Sequence, residues 1–162
     1  TALILKKLND EIIRVLNQRV GGEIQDGMDL AICIINKKKN EICFSGARNG
    51  IIIVSENILK RYDADLLPVG GSYSLKSKIM NRDYNNTIFK YKDDDWLFMF
   101  SDGYYDQLNS KNMKSLGMKK FEEILLNSIS KTDKNEYLLK EFNSWKGTFP
   151  QVDDLLVIGL KL

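Results

Sequence analysis

Two places in this chain put carboxylates where chemistry could use them. The first is "LFMFSDGYYDQ", residues 97 to 107, where the apolar run Leu97 to Phe100 meets Ser101-Asp102-Gly103. It reads as a buried strand that stops at an acid. The second is "QVDDLLVIG", where Asp153-Asp154 opens an apolar run. If the two runs are antiparallel neighbours, Asp102 and Asp153 fall at the same edge of one sheet. Clustered carboxylates repel, which raises one pKa or demands a cation. Oxygen ligands suit Mg²⁺ or Mn²⁺, ions that keep several waters. The same acids also serve as turn formers, since Asp-Gly is a common turn pair and Asp often precedes a strand. Spacing alone leaves both readings open.

Composition removes several alternatives. The 162 residues include no histidine, which excludes Ser-His-Asp and Cys-His nucleophiles and any His-ligated metal. No P-loop or dinucleotide fingerprint is present. A haloacid-dehalogenase nucleophile needs Asp-x-Asp after its strand, and the spacing here is Asp102-x-x-x-Asp106. A phosphoacceptor receiver needs alternating strand and helix units, which the pattern lacks. With 24 basic and 22 acidic residues the net charge is +2, which argues against a dedicated nucleic-acid surface. Lys37-Lys38-Lys39 reads as a solvated turn. At 43% apolar and 28% charged residues, the chain is expected to form a single globular domain over residues 1–162. No apolar run is long enough to span a bilayer. A turn over Asn36 to Asn40 would set Cys33 and Cys43 opposite each other. Two thiols without a disulfide framework nevertheless fit a reduced, cytoplasmic chain.

The elements that must carry these acids follow from periodicity. Leu5, Leu8, Ile12, Val15 and Leu16 form one stripe, which predicts a helix over 2–18 ended by Gly21-Gly22. Strands are expected over 29–35, 41–47 and 50–55, joined by short loops as an antiparallel meander, with "ILKRYDA" as a fourth. "LPVGGSYS" reads as a loop in which Gly70-Gly71 permits a tight backbone. Residues 87–91 and 95–101 are expected to pair with each other around Lys92-Asp93-Asp94. Met118, Phe121, Ile124, Leu125 and Ile129 mark a helix. Asp133 with Glu136 is a capping box for another, whose face carries Leu138, Phe142 and Trp145. Leu155 to Ile158 reads as a closing strand buried on both faces.

Six separated pieces, "DGMDLAICII", "FSGARNGIIIV", "LLPVGG", "FMFSDGYYDQ", "SWKG" and "QVDDLLVIG", resemble in order the SpoIIE/RsbU-like branch of the metal-dependent protein phosphatases (PPM). The resemblance covers nearly the whole chain. It implies an α+β fold, an α-β-β-α sandwich of two antiparallel sheets flanked by helices. It implies hydrolysis of phosphoserine or phosphothreonine on a bacterial signalling protein, such as a phosphorylated anti-sigma factor antagonist. In the family two Mn²⁺ or Mg²⁺ ions activate a water that attacks phosphorus in line, which needs no histidine. By position Asp102 matches the metal-binding Asp of the Ser/Thr-Asp-Gly motif, and Asp153, with Asp154 beside it, matches the late Asp-Asp or Asp-Asn motif. The resemblance thus implies Asp102 and Asp153 as the catalytic metal ligands. Arg48 is a candidate phosphate contact that also suits a surface salt bridge.

The family's early Gly-Asp motif, whose Asp bridges both metals, is absent from this sequence. Thr1 is not an initiator Met, and the resemblance implies an N-terminally truncated domain fused to an upstream sensor or regulatory region, tethered in some members to a membrane sensor. Residues 1–162 alone are therefore expected to show little activity even with Mn²⁺. The competing expectation is a non-catalytic interaction or homodimerisation module using the same fold.

Overall fold

The structure, a computed structural model, describes residues 1–18, 26–71 and 83–162. The expected Gly21-Gly22 helix stop and the Ser72-Tyr73-Ser74 end of the "LPVGGSYS" loop lie outside these residues. The chain divides into two units, one made of Thr1–Ile51, Arg61–Asp95 and Leu162, the other of Ile52–Lys60 and Trp96–Lys161.

The first unit begins with helix α1 (Ala2–Val15). Its stripe is buried at Leu5, while Val15 (68% exposed) and Leu16 (38%) leave the apolar end uncovered. Leu5 packs with Ala47, Val69 and Tyr84, and Leu8, Ile12, Leu30 and Ile32 close around them. A two-residue strand β1 (Gly27–Met28) precedes β2 (Leu30–Asn36) and β3 (Glu41–Ala47), which form the expected hairpin. Its register departs from expectation by one residue. Cys33 lies opposite Phe44, and Cys43 opposite Ile34. Partners across a ladder share a face and successive residues alternate, so the two thiols point to opposite faces and both are free. Burial pushes the Cys33 thiol up to about 11.

The meander expectation fails after β3. The next strand, β4 (Ile51–Ser55), joins a different sheet. Both edges of β3 are already taken, by β2 and by β7 (Thr87–Lys90). Arg48, in the left-handed region at φ 58°, turns the chain out of the ladder. The predicted pairing of residues 87–91 with 95–101 is corrected for the same reason. Here β7 lies on β3, with Phe89 opposite Ile42, whereas β8 (Trp96–Phe100) sits between β4 and a C-terminal strand and has no edge left. Between them the side chain of Asp95 accepts the Lys92 N–H at 2.8 Å and closes a turn. Val69–Gly70 forms β6, paired with β1, and Gly70 and Gly71 both hold positive φ (74° and 75°).

The second unit is built on a four-stranded sheet in the order β5-β4-β8-β9, where β5 is Ile58–Tyr62 and β9 is Val157–Lys161. Helices α2 (Met118–Ser128) and α3 (Lys134–Lys146) match the predicted stripes. Phe121, Ile124, Leu125 and Phe142 pack with Ile52, Val54, Phe98 and Phe100 in one core. The reading of the last strand as buried on both faces is corrected. On the outer strand β9, Ile158 (49%) and Leu160 (45%) are exposed; two apart, they share one face of the sheet, and that face is left open here. Among the described residues no helix is long and apolar enough to cross a membrane.

The capping reading of α3 holds: the Asp133 carboxylate accepts the Glu136 N–H at 2.8 Å. Asp133→Ala is expected to lower stability by about 1 kcal/mol, read as a lower urea midpoint with an unchanged slope. A midpoint equal to wild type would mean that the cap contributes nothing.

Candidate metal centre

The site is built at one end of the β8–β9 pair. These strands run antiparallel, with Phe100 opposite Val157 and Trp96 opposite Lys161. Asp102 follows the end of β8 and Asp153 precedes β9, so both acids belong to the same edge, the placement expected if the two runs are antiparallel neighbours. The ladder continues one step past the strands, where Ser101 N–H donates to the Leu156 carbonyl at 3.0 Å. The Ser101 hydroxyl then donates to the Asp154 carbonyl at 2.8 Å and accepts the Leu156 N–H at 3.0 Å. One side chain thus ties both main-chain segments that carry the acids.

Asp102 opens a 3-10 turn, Asp102–Tyr104. Its interior side is anchored by Tyr104, 1% exposed, whose hydroxyl donates to the Leu138 carbonyl at 2.7 Å. The Tyr104 ring lies 4.8 Å from Phe121 and 5.2 Å from Phe142, centroid to centroid. Gly103 is required for closeness rather than for a special dihedral. A Cβ there would strike the Asp154 carbonyl oxygen, with its carbon only 3.0 Å away. In Ser-Asp-Gly-Tyr, then, the serine clasps, the aspartate supplies the acid, the glycine gives clearance and the tyrosine anchors the turn.

A further acid joins the site that sequence reasoning did not assign. Asp106 N–H donates to the Asp102 carbonyl at 2.9 Å, a helical turn that sets residues four apart on one side. Partial burial, then the charge of Asp102, then that of Asp153 push its carboxyl above the ordinary range. The signal in the sequence is the four-residue step from Asp102 to Asp106, which fails one nucleophile motif and yet is the spacing of a helical turn. Asp154 contributes chiefly main chain: its carbonyl holds Ser101, and its N–H donates to Asp153 Oδ1 at 2.7 Å. Its carboxylate is exposed. Arg48 belongs to the first unit, exposed, with its Nε donating to the Leu66 carbonyl at 3.3 Å.

The donor set suits a hard cation in kind. It is all carboxylate, and burial together with the charges of Asp102 and Asp153 opposes ionisation of Asp106. In number it is sparse: among the described residues no three such side chains converge closely enough to hold an ion by themselves. A largely hydrated Mg²⁺-like ion takes only one or two carboxylates from its protein, and Asp102 and Asp153 are the residues that would supply them.

With the geometry in place, the fold can be compared with known proteins. No family model matches the chain, and no curated protein matches it. Solved structures do. The chain is similar to the SiaA-PP2C domain of Pseudomonas aeruginosa, with TM-score 0.85 and 16% identity over 99% of this chain and 60% of that one. It is similar to the Mn-presoaked phosphatase domain of the cell fate determinant SpoIIE from Bacillus subtilis, with TM-score 0.59 and 16% identity over 98% and 71%. The S. agalactiae serine/threonine phosphatase is matched with TM-score 0.57 and 13% identity over 98% and 67%. The chain has the α+β fold of PP2C-type phosphatase domains. It spans about three fifths of the SiaA domain's length.

Two expectations follow from the geometry. Gly103→Ala should cost about 1–3 kcal/mol, because the backbone of Asp154 must move to admit the methyl; chemical denaturation measures it, and a neutral result would refute the close approach. For Asp106 the sign comes from linkage. A carboxyl with a raised folded pKa contributes stability below its unfolded value, near 3.8, and loses it as pH rises through the folded pKa. Asp106→Asn should thus raise the Tm at pH 7 in metal-free buffer, and the gain should vanish near pH 3. A gain that persists in acid would assign the effect to something other than charge.

Proposed function

We propose that this chain is part of a metal-dependent protein serine/threonine phosphatase, acting on phosphoserine or phosphothreonine of a protein partner. The observation that carries the reading is that the segments bearing Asp102 and Asp153 meet at one end of the β8–β9 pair, both charges being felt at Asp106, in a fold shared with PP2C-type domains. Carboxylates gathered this way are unfavourable for stability, so their placement calls for a ligand of opposite charge.

In this reading Asp102 and Asp153 hold a Mn²⁺ or Mg²⁺ ion, with Asp154 beside them. When bound, such an ion supplies an activated water and screens the phosphate charge. The chain's own residues do the positioning. Ser101 fixes the separation of the two acid-bearing segments, Tyr104 anchors the turn that presents Asp102, and the Asp154 N–H orients the Asp153 carboxylate through Oδ1. Asp106 holds its proton to higher pH than an ordinary carboxyl. The partner is a phosphorylated bacterial signalling protein, with an anti-sigma factor antagonist as the chemical type, and the working compartment is the cytoplasm.

The test is hydrolysis of a phosphoserine peptide by the full-length protein in Mn²⁺. Asp102→Asn and Asp153→Asn should each lower kcat/KM by about 100-fold or more, taking removal of a ligand to cost at least as much as removal of its supporting partner. In metal-free buffer both variants should keep or slightly raise the wild-type Tm, and the Tm increase on adding Mn²⁺ should disappear. Unchanged turnover in Asp102→Asn would end the reading and leave a binding module with a phosphatase fold.

A further inference from the structure

Gln107 is a fully buried polar side chain, 0% exposed, one residue beyond Asp106 and unused by the chemistry above. Its carboxamide is spent on the chain that leads into Asp153. Nε2 donates to the Pro150 carbonyl at 3.0 Å and to the Leu108 carbonyl at 3.0 Å. Oε1 accepts the Val152 N–H at 3.4 Å, a long bond. The Gln107 main-chain carbonyl accepts the Leu116 N–H at 3.1 Å and Trp145 Nε1 at 2.9 Å. The residue is therefore gripped from α3 and from the segment before α2, and its side chain extends from that fixed base to residues 150–152.

This segment needs such a hold. Residues 150–154 lie before β9 begins, so no ladder fixes them. Gln151 and Val152 are exposed, so no core packing fixes them either. The Ser101 clasp acts at Asp154 and Leu156, on the far side of Asp153. Asp153 is thus pinned from both directions, by Ser101 after it and by Gln107 before it.

We propose that Gln107 is a positioning residue of the metal centre: its buried carboxamide sets the path of residues 150–152 and thereby holds the Asp153 carboxylate beside Asp102. The role rests on the metal-site reading above, but it has a consequence that does not. A buried amide that bonds main-chain groups is replaceable in volume and not in bonding. Gln107→Met keeps the length and apolar contacts while leaving the Pro150 carbonyl and Val152 N–H without their partner, a loss felt locally. Removing the partner that orients a ligand typically weakens metal affinity about 10- to 100-fold.

The experiment uses the full-length protein and two readouts. Amide hydrogen exchange without metal reads the segment itself, and Mn²⁺ titration by electron paramagnetic resonance reads the site. Gln107→Met should exchange at least about tenfold faster at Val152 and Asp154 while β8 and α2 keep wild-type protection. It should weaken Mn²⁺ binding about 10-fold or more. The Gln107→Met/Asp153→Asn double variant should bind Mn²⁺ no more weakly than Asp153→Asn alone, because the two act through one carboxylate. Asp133→Ala, which removes a helix cap that does not touch Gln107, serves as the control: it should lower Tm and leave Mn²⁺ affinity within about twofold. Unchanged exchange at residues 152–154 overturns the proposal, as does a loss of affinity that adds in full to that of Asp153→Asn. If Gln107→Met fails to fold, Gln107→Leu, which likewise removes the donor to Pro150 and the acceptor to Val152, is judged by the same two readouts. If wild type binds no Mn²⁺ through Asp102, the metal-site reading falls and the exchange result alone decides whether Gln107 holds the segment.

Discussion

The hydroxyl of Ser101 is the contact on which the acidic end of the sheet depends. It donates to the Asp154 carbonyl and accepts from the Leu156 N–H, so it replaces the ladder bonds that stop when β8 ends. Two segments bearing like charges would otherwise drift apart at the sheet edge, where backbone groups are free to take water instead. The clasp works only because Gly103 cooperates: it presents no side chain to the Asp154 carbonyl that Ser101 holds. A larger residue would push Asp154 off and break the bond on its neighbour.

Asp106 is the acid whose charge the fold disfavours, through partial burial first. The field of Asp102 and Asp153 at Asp106 opposes ionisation there, and exposure tempers that opposition without removing it. What tolerates the arrangement is the core beneath it. Phe100, Tyr104, Phe121 and Phe142 form a run of aromatic contacts under the turn that carries Asp102. The turn that presents Asp102 thus rests on packed aromatic rings.

How much of this could be read from the chain depends on what each residue answers to. The helices over Met118–Ser128 and Lys134–Lys146 were legible because their stripes and the Asp133 cap are local. Ser101-Asp102-Gly103 was legible as a strand end with an acid, and β8 and β9 do lie side by side. The chemistry drawn from that juxtaposition came from resemblance to a family and stands as a proposal. Strand partners were less legible. Nothing local says that β3 has both edges filled, so β4 and β7 were assigned to wrong neighbours. A single-residue shift in the Asn36–Glu41 turn decided the faces of Cys33 and Cys43, and loop length alone does not fix it. The exposed faces of Ile158 and Leu160 show that an apolar run marks a strand without marking its depth. Asp106 and Gln107 escaped because their partners are remote: Asp153 for one, Pro150 and Val152 for the other.

The Ser101–Asp154 bond also carries a message about order of assembly. Its ends are 53 residues apart in the chain, with both α2 and α3 in between. On a growing polypeptide Asp102 emerges long before the acid that will face it, and the intervening helices can pack against β4 and β8 in the meantime. The loop can close only after β9 has been synthesised, and closing it brings the two acid-bearing segments together across that separation. The acidic centre is thus a long-range feature of the chain: the contact that closes it spans both helices of the second unit.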